Sequence, residues 1–292
     1  MVRIIARLDI KGPNLVKGIQ LEGLRVLGDP HAFAKVYYEN GIDEIIYQDT
    51  VASLYNRNSL LDLISKTAKD IFIPITVGGG IRTLEDINRT LKAGADRVSI
   101  NTAALRNPQF IHEAALKFGK STIVASIEAI KNQDGKYYAF TDNGREASGI
   151  EVLSWAKKLE SLGAGEIMIT SVLNEGSGLG LDTQLVKLIS KNVNIPIIAH
   201  GGAGKKEHFK EIIQIGDCNA VASASFFHYN YLTELSSPNT SSEGNKIYIS
   251  KPKKYLNFEH VSILDLKSYL RENKINQRIE QEVAIEDNHY RL

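Results

Sequence analysis

The sequence repeats itself at nearly half its length. The run IPITVGGGI at Ile73–Ile81 returns as IPIIAHGGAG at Ile195–Gly204, with Pro74 and Pro196 aligned at an offset of 122 residues. The same offset pairs Glu44 with Glu166, Gly80 with Gly202 and Asn101 with Ser223, while Asp9 meets Glu128 at an offset of 119. Two unrelated domains would not echo at this spacing, so the repeat favours one architecture made of two like halves.

What the halves are made of follows from hydrophobic patterning. Short β-branched runs read as strands: RIIARLD (3–9), EIIYQD (44–49), PITVGG (74–79), RVSIN (97–101), TIVASIE (122–128), EIMITS (166–171), PIIAHG (196–201) and AVASA (220–224). They are apolar almost throughout, as expected of parallel strands covered on their outer face. Amphipathic helical patterns lie between them. DPHAFAKVYYENG offers Asp29 as N-cap, Pro30 at the first helical position and Gly41 as a stop, and TLEDINRTLKAGAD starts at Thr83. Alternating strands and helices in eight units predict an α/β fold of the (β/α)8 barrel type, with a doubly wound open sheet as the alternative. The barrel is expected over 1–278, interrupted by a Ser-, Asn- and Lys-rich surface insertion at 236–260 before the last helix; 279–292 reads as a C-terminal tail.

Bulk properties narrow the function by exclusion. A net charge of +1 gives no field that would favour nucleic acid or a membrane surface, and no apolar stretch is long enough to span a bilayer. The N-terminal MVRIIARLDI is too short an apolar run for a signal peptide. Cys218 is the sole cysteine, which forbids an intramolecular disulfide and suits a reducing cytoplasm. The seven histidines show no metal-ligand spacing and no GxGxxG follows the first strand, so neither a metal nor a nucleotide cofactor is expected.

In a parallel barrel the reacting groups stand where strands end and helices begin. Glycines there let a ligand approach the backbone, and the amides of the following turn suit an anion. GGG (78–80) and SINTAA (99–104) end strands three and four; HGGAG (200–204) and ASAS (222–225) end strands seven and eight. These lie opposite one another in an eight-fold ring, so a ligand with a phosphate at each end would bridge the mouth; glycines that serve tight turns alone are the plainer reading. Asp9 and Glu128, at the ends of strands one and five, could share acid and base work. Lys17 follows in KGPNLVKGIQLEGLRVLGDP, read either as a mobile cation reaching over the mouth or as a solvated surface lysine. Asp49 and Glu175 shape the site or satisfy nearby amides. At the opposite end, Arg3, Glu44, Arg97 and Glu166 begin strands and would form a charged ring, as a stability layer or as a gate to a central passage.

With these residues assembled, the chain resembles the cyclase (HisF-type) subunit of imidazole glycerol phosphate synthase, over roughly 1–230 and again over 261–278. The resemblance rests on RIIARLDIKGPNLVKG, GIDEIIYQD, VGGGIRTLED, GADRVSINTAA, GAGEIMITS and GGAGKKEHF. It implies a (β/α)8 barrel that receives ammonia from a glutaminase docked at its bottom, as a heterodimer, without a cofactor. It implies a bisphosphate substrate, a ribulosyl-formimino-aminoimidazole carboxamide ribotide, converted to imidazole glycerol phosphate and aminoimidazole carboxamide ribotide in histidine biosynthesis. By that resemblance Asp9 and Glu128 are the catalytic carboxylates and Lys17 the lysine of the first loop. Gly80, Asn101 and Thr102 form one phosphate site; Gly202, Ala224 and Ser225 form the other, with Gly176 also binding substrate. Arg3, Glu44, Arg97 and Glu166 match the ammonia gate. The chain departs from the family pattern in Arg7 for a usual cysteine, KGPN for an acidic–glycine turn and Arg97 for a usual lysine. It departs again in Glu128 and Glu175 for aspartates, Leu173 for an acidic residue, and His200 for a small hydroxyl residue. Those departures leave two alternatives open: a divergent paralogue supplying ammonia for sugar amidation in surface-polysaccharide biosynthesis, or a non-catalytic barrel that activates a glutaminase.

Overall fold

The computed structural model describes residues 1–52, 60–235 and 257–278. The first strand, β1 (Arg3–Lys11), continues into a hairpin of β2 (Asn14–Ile19) and β3 (Glu22–Gly28), followed by β4 (Glu44–Asp49), β5 (Ile75–Gly78) and β6 (Arg97–Ile100). The second half opens the same way: β7 (Ile123–Lys131) continues into a hairpin of β8 (Tyr137–Thr141) and β9 (Glu146–Glu151), then β10 (Glu166–Ser171), β11 (Ile197–His200) and β12 (Ala220–Ser223). Strands β1, β4, β5, β6, β7, β10, β11 and β12 pair in parallel in that order, and β12 returns to β1. The ring is closed, which makes the fold a (β/α)8 barrel and sets aside the open sheet. The two hairpins extend the half-barrel repeat to elements the sequence did not announce.

The helices begin where local chemistry directs them. Asp29 accepts a hydrogen bond from the His31 amide at 2.9 Å and caps α1 (Pro30–Glu39), whose first residue is the expected proline. The helix α2 (Leu61–Asp70) precedes α3 (Leu84–Lys92), which Thr83 and Asp86 close in a reciprocal capping box. Then come α4 (Thr102–Arg106), α5 (Gln109–Phe118), α6 (Val152–Ser161), α7 (Thr183–Ser190), α8 (Lys206–Gly216), α9 (Ser225–Leu235) and α10 (Ile263–Glu272), the last capped by Ser262.

Strand alternation builds two cores. On β1, Ile4, Ala6, Leu8 and Ile10 face outward into the large core shared with the helices. The other face carries Arg3, Ile5, Arg7 and Asp9 inward. Ile5 joins Ile46, Val124, Met168, Ile198, Ala220 and Ala222 in a separate apolar cluster filling the barrel axis. The charged ring lies below that cluster and the polar mouth above it. Of the insertion expected at 236–260, residues 236–256 lie outside the described residues, as does the tail 279–292. The end of the insertion is tied to the rim: the Glu259 amide donates to the Gly204 carbonyl at 2.7 Å, and Asn257 donates its side-chain amide to Ser177 at 3.0 Å.

Candidate active site

The bottom of the barrel is ringed by the four expected charges. Arg3 donates to Glu44 at 2.8 Å and also pairs with Glu166; Arg97 donates to Glu166 at 2.6 Å and also pairs with Glu44. Each cation bridges both carboxylates, so the signs alternate around a closed square. Both glutamates are buried, and removing one cation would leave carboxylate charge facing low dielectric. The ring therefore closes the axis in this conformation and locks the first turns of four strands together.

At the mouth, the structure gathers more than the sequence indicated. Asp9 is buried between two cations: Arg7 Nε donates to its Oδ1 at 3.0 Å and Lys17 Nζ to its Oδ2 at 3.2 Å. Burial alone would raise the Asp9 pKa, but Arg7 and Lys17 outweigh it and hold the carboxyl below its ordinary range. Lys17 also pairs with Glu175, which is likewise buried. Of the two sequence readings of Lys17, burial rules out the solvated surface lysine, and the cation reaches over the mouth to Asp9. It sits on β2, folded over the barrel top, and only 2% of its surface is exposed. Its stem is held because the hairpin tip is fastened to the loop after β10: the Gln20 amide donates to the Glu175 carbonyl at 2.8 Å, and the Gln20 side chain to Leu173 at 3.1 Å. Gly176 serves that contact, since a Cβ there would meet the Gly18 carbonyl oxygen at 2.6 Å.

Arg7 and His200, two of the departures, are in contact across the barrel. Arg7 Nη1 lies 3.3 Å from His200 Nδ1, which also lies 3.2 Å from Thr170 Oγ1. A guanidinium only donates, so His200 Nδ1 accepts and its proton resides on Nε2. Burial and the adjacent Arg7 hold His200 neutral by pushing its pKa well below the usual value.

Glu128 is the chemical opposite of Asp9. It is buried on β7, and that burial raises its pKa to about 7 against the lowering effect of the Gly144 amide, which donates to Oε2 at 2.8 Å, and of Arg7. The two environments push the carboxyls in opposite directions, so Glu128 exchanges its proton near neutrality while Asp9 stays ionised, the division that acid–base work requires. The strand does not end at Glu128; it runs on to Lys131, and the β8–β9 hairpin folds back to supply the Gly144 amide.

A cavity of about 240 Å³ opens beside Glu128. Its walls include Gly79, Gly80, Asn101 and Thr102, the first expected anion rim, together with Arg82 and Arg106. Gly79 and Gly80 have φ of +90° and +75°, a region that favours glycine. Ser99 Oγ and Asn101 Oδ1 are buried without a hydrogen-bond partner in this wall, which marks a place where a ligand would satisfy them. The second rim is built differently. Gly202 has φ +111° and a Cβ on it would overlap the Gly180 carbonyl oxygen, so the fold itself demands glycine there. Ala224 and Ser225 are buried at the start of α9, and Ser225 Oγ also lacks a partner. This second rim does not line the cavity. Asp9 does not line it either, whereas Arg7 does. Sequence reading assigned no role to Arg7, Arg82, Arg106 or Asn143 in the site; for Arg7 the signal was present, since it shares the inward face of β1 with Asp9, two residues away.

Among the described residues no cluster of three or more His, Cys, Asp or Glu side chains could hold a metal ion, and no helix is long and apolar enough to cross a membrane. The profile of the histidine biosynthesis protein family matches residues 3–233. Three relatives, each an imidazole glycerol phosphate synthase subunit HisF, share much of the sequence. That of Legionella pneumophila is 55% identical over 208 residues, 71% of this chain and 98% of the relative. That of Hydrogenobaculum sp. (strain Y04AAS1) is 44% identical over 277 residues, 95% of this chain and 98% of the relative. That of Alkaliphilus metalliredigens (strain QYMF) is 42% identical over 248 residues, 85% of this chain and 97% of the relative. With this identity sustained across a closed barrel, the chain belongs to the histidine biosynthesis protein family, among its HisF-type subunits.

Proposed function

We propose that this chain is the cyclase subunit of imidazole glycerol phosphate synthase. In that reaction ammonia adds to the bisphosphate ribulosyl-formimino-aminoimidazole carboxamide ribotide, and imidazole glycerol phosphate and aminoimidazole carboxamide ribotide leave. The observation that carries the reading is the geometry of one mouth: Asp9 buried between Arg7 and Lys17, which lower its pKa, and Glu128 buried beside a cavity lined with unpartnered polar atoms, its pKa raised to about 7. Glu128 is the group that gives and takes the proton, and Asp9 is the fixed anion of the pair. One phosphate lies against Gly80, Asn101 and Thr102; the other lies against Gly202, Ala224 and Ser225, with Gly176 holding the loop between them and Lys17.

The ammonia source is a glutaminase subunit bound at the barrel bottom. The alternating ring of Arg3, Glu44, Arg97 and Glu166 supports this reading, because three of its members, Arg3, Arg97 and Glu166, line a surface recess of about 310 Å³. A buried lone cysteine is compatible with a reducing compartment, and the cytoplasm is the proposed location. The test is product formation from the bisphosphate with ammonium salt alone, then with glutamine and the partner subunit. Product in both arms supports the reading. Glutaminase stimulation without product would instead support the silent barrel, and an inert bisphosphate with ammonia passed to a sugar acceptor would support the paralogue.

A further inference from the structure

The cavity wall beside Glu128 carries a further charged group, Arg7. Asp9 is 1% exposed and stands behind Arg7, while Arg7 itself lines the cavity with Ser99, Asn101, Ser126 and Glu128. Two of its three guanidinium nitrogens are committed inward, Nε to Asp9 at 3.0 Å and Nη1 to His200 Nδ1 at 3.3 Å. Nη2 has no hydrogen-bond partner among the described residues. A buried guanidinium held in a fixed plane by two neighbours, with one edge open to a polar cavity, is a preorganised donor.

Charge balance decides what it receives. Arg7 and Lys17 offset Asp9 and Glu175, and His200 is neutral. The cavity's other cations, Arg82 and Arg106, lie on the segments that follow Gly80 and Thr102, and the balanced group immediately around Arg7 suits a neutral group that becomes negative during reaction. We infer that Arg7 is a catalytic residue of this chain that donates from Nη2 to the substrate carbonyl oxygen attacked by ammonia. This inference rests on the cyclase reading. As the C–N bond forms, the carbonyl π pair moves onto oxygen, and Arg7 stabilises that charge. Glu128 delivers its proton to the oxygen and then takes one from the added nitrogen, leaving a neutral carbinolamine and the acid restored. Asp9 is then a positioning residue acting through Arg7.

The test is steady-state turnover of the full chain with the bisphosphate and ammonium salt, comparing wild type, Arg7→Met, Arg7→Lys and the double variant Arg7→Met/Asp9→Asn. Loss of one such donor is expected to lower kcat about 100- to 1,000-fold with KM changed by less than about threefold. Arg7→Lys, which keeps the charge but loses the fork, is expected to lose at least about tenfold, and it carries the test if Arg7→Met does not fold. The double variant must stay as slow as Arg7→Met. Recovery in the double variant would show that Arg7 serves only to neutralise Asp9, and a kcat within about threefold of wild type in the folded variants, or a loss confined to KM, would equally overturn the role. A wild type that makes no product refutes the cyclase reading itself, which a working wild type with indifferent Arg7 variants does not.

Discussion

Replacing Glu128 by glutamine reports directly on the proton that the mouth is built to hold. Burial raises the Glu128 pKa from 4.5 to about 7, so folding favours the protonated form. That contribution is fully present below pH 4.5, is lost progressively as pH rises through 7, and is constant above. A shift of about 2.5 units at 1.36 kcal/mol each makes the loss about 3 kcal/mol. Glutamine keeps the shape and can still accept from the Gly144 amide, the 2.8 Å bond that holds Glu128 Oε2, but it never ionises. The stability of Glu128→Gln minus that of wild type should therefore rise by about 3 kcal/mol between pH 4 and pH 8. Urea unfolding followed by circular dichroism across that range measures it. The same variant should lose about 100- to 10,000-fold in ammonium-dependent turnover, since no proton can be given. A stability difference that stays flat from pH 4 to pH 8 would show that Glu128 has the same pKa folded as unfolded and is ionised near neutrality, and the acid role would go with it.

Other expectations are simpler. Lys17→Met leaves Glu175 buried without its cation and should cost about 3–5 kcal/mol, read as a lowered denaturation midpoint; an unchanged midpoint would mean the Lys17–Glu175 pair is not formed in solution. Gly202→Ala drives a Cβ into the Gly180 carbonyl, so it should lower the melting temperature as well as phosphate affinity. Normal melting with lost affinity would make Gly202 a purely functional glycine. Thr83→Ala removes the cap on α3 and its reciprocal bond with Asp86, at about 1 kcal/mol in thermal or urea unfolding; no change would mean that water replaces the cap. Wild-type kcat, measured at saturating free ammonia, should fall as pH rises through about 7, the raised pKa of Glu128; a kcat that climbs steadily to pH 9 under that condition would contradict an acid at that position.

Local chemistry made much of this molecule legible in the sequence. The apolar runs at 44–49 and 166–171 are the strands found there, and Asp29 and Thr83 cap the helices they precede. These depend on side chains acting within a few residues of their own backbone. The β2–β3 hairpin was hidden because its turn carries a weak signal, Gln20 and Leu21 taking φ of +53° and +64° without a glycine or asparagine between them, whereas the β8–β9 turn carries Asn143-Gly144, a strong hairpin signal that the strand pattern overshadowed.

The sequence by itself determined eight alternating strand–helix units, the glycine runs at matched strand ends and the list of charged residues that could react; closure into a ring was left to the structure. Only the tertiary structure decided what those residues are. Lys17 became a buried strut rather than a surface cation because Glu175, 158 residues away, meets it. Arg7 acquired a fixed plane from His200, 193 residues away. Asp9 and Glu128, both carboxylates, became anion and acid because two cations outweigh burial at Asp9, while at Glu128 burial outweighs the Gly144 amide and Arg7. A carboxyl's protonation is a property of its surroundings, and closing the barrel is what brings those surroundings together.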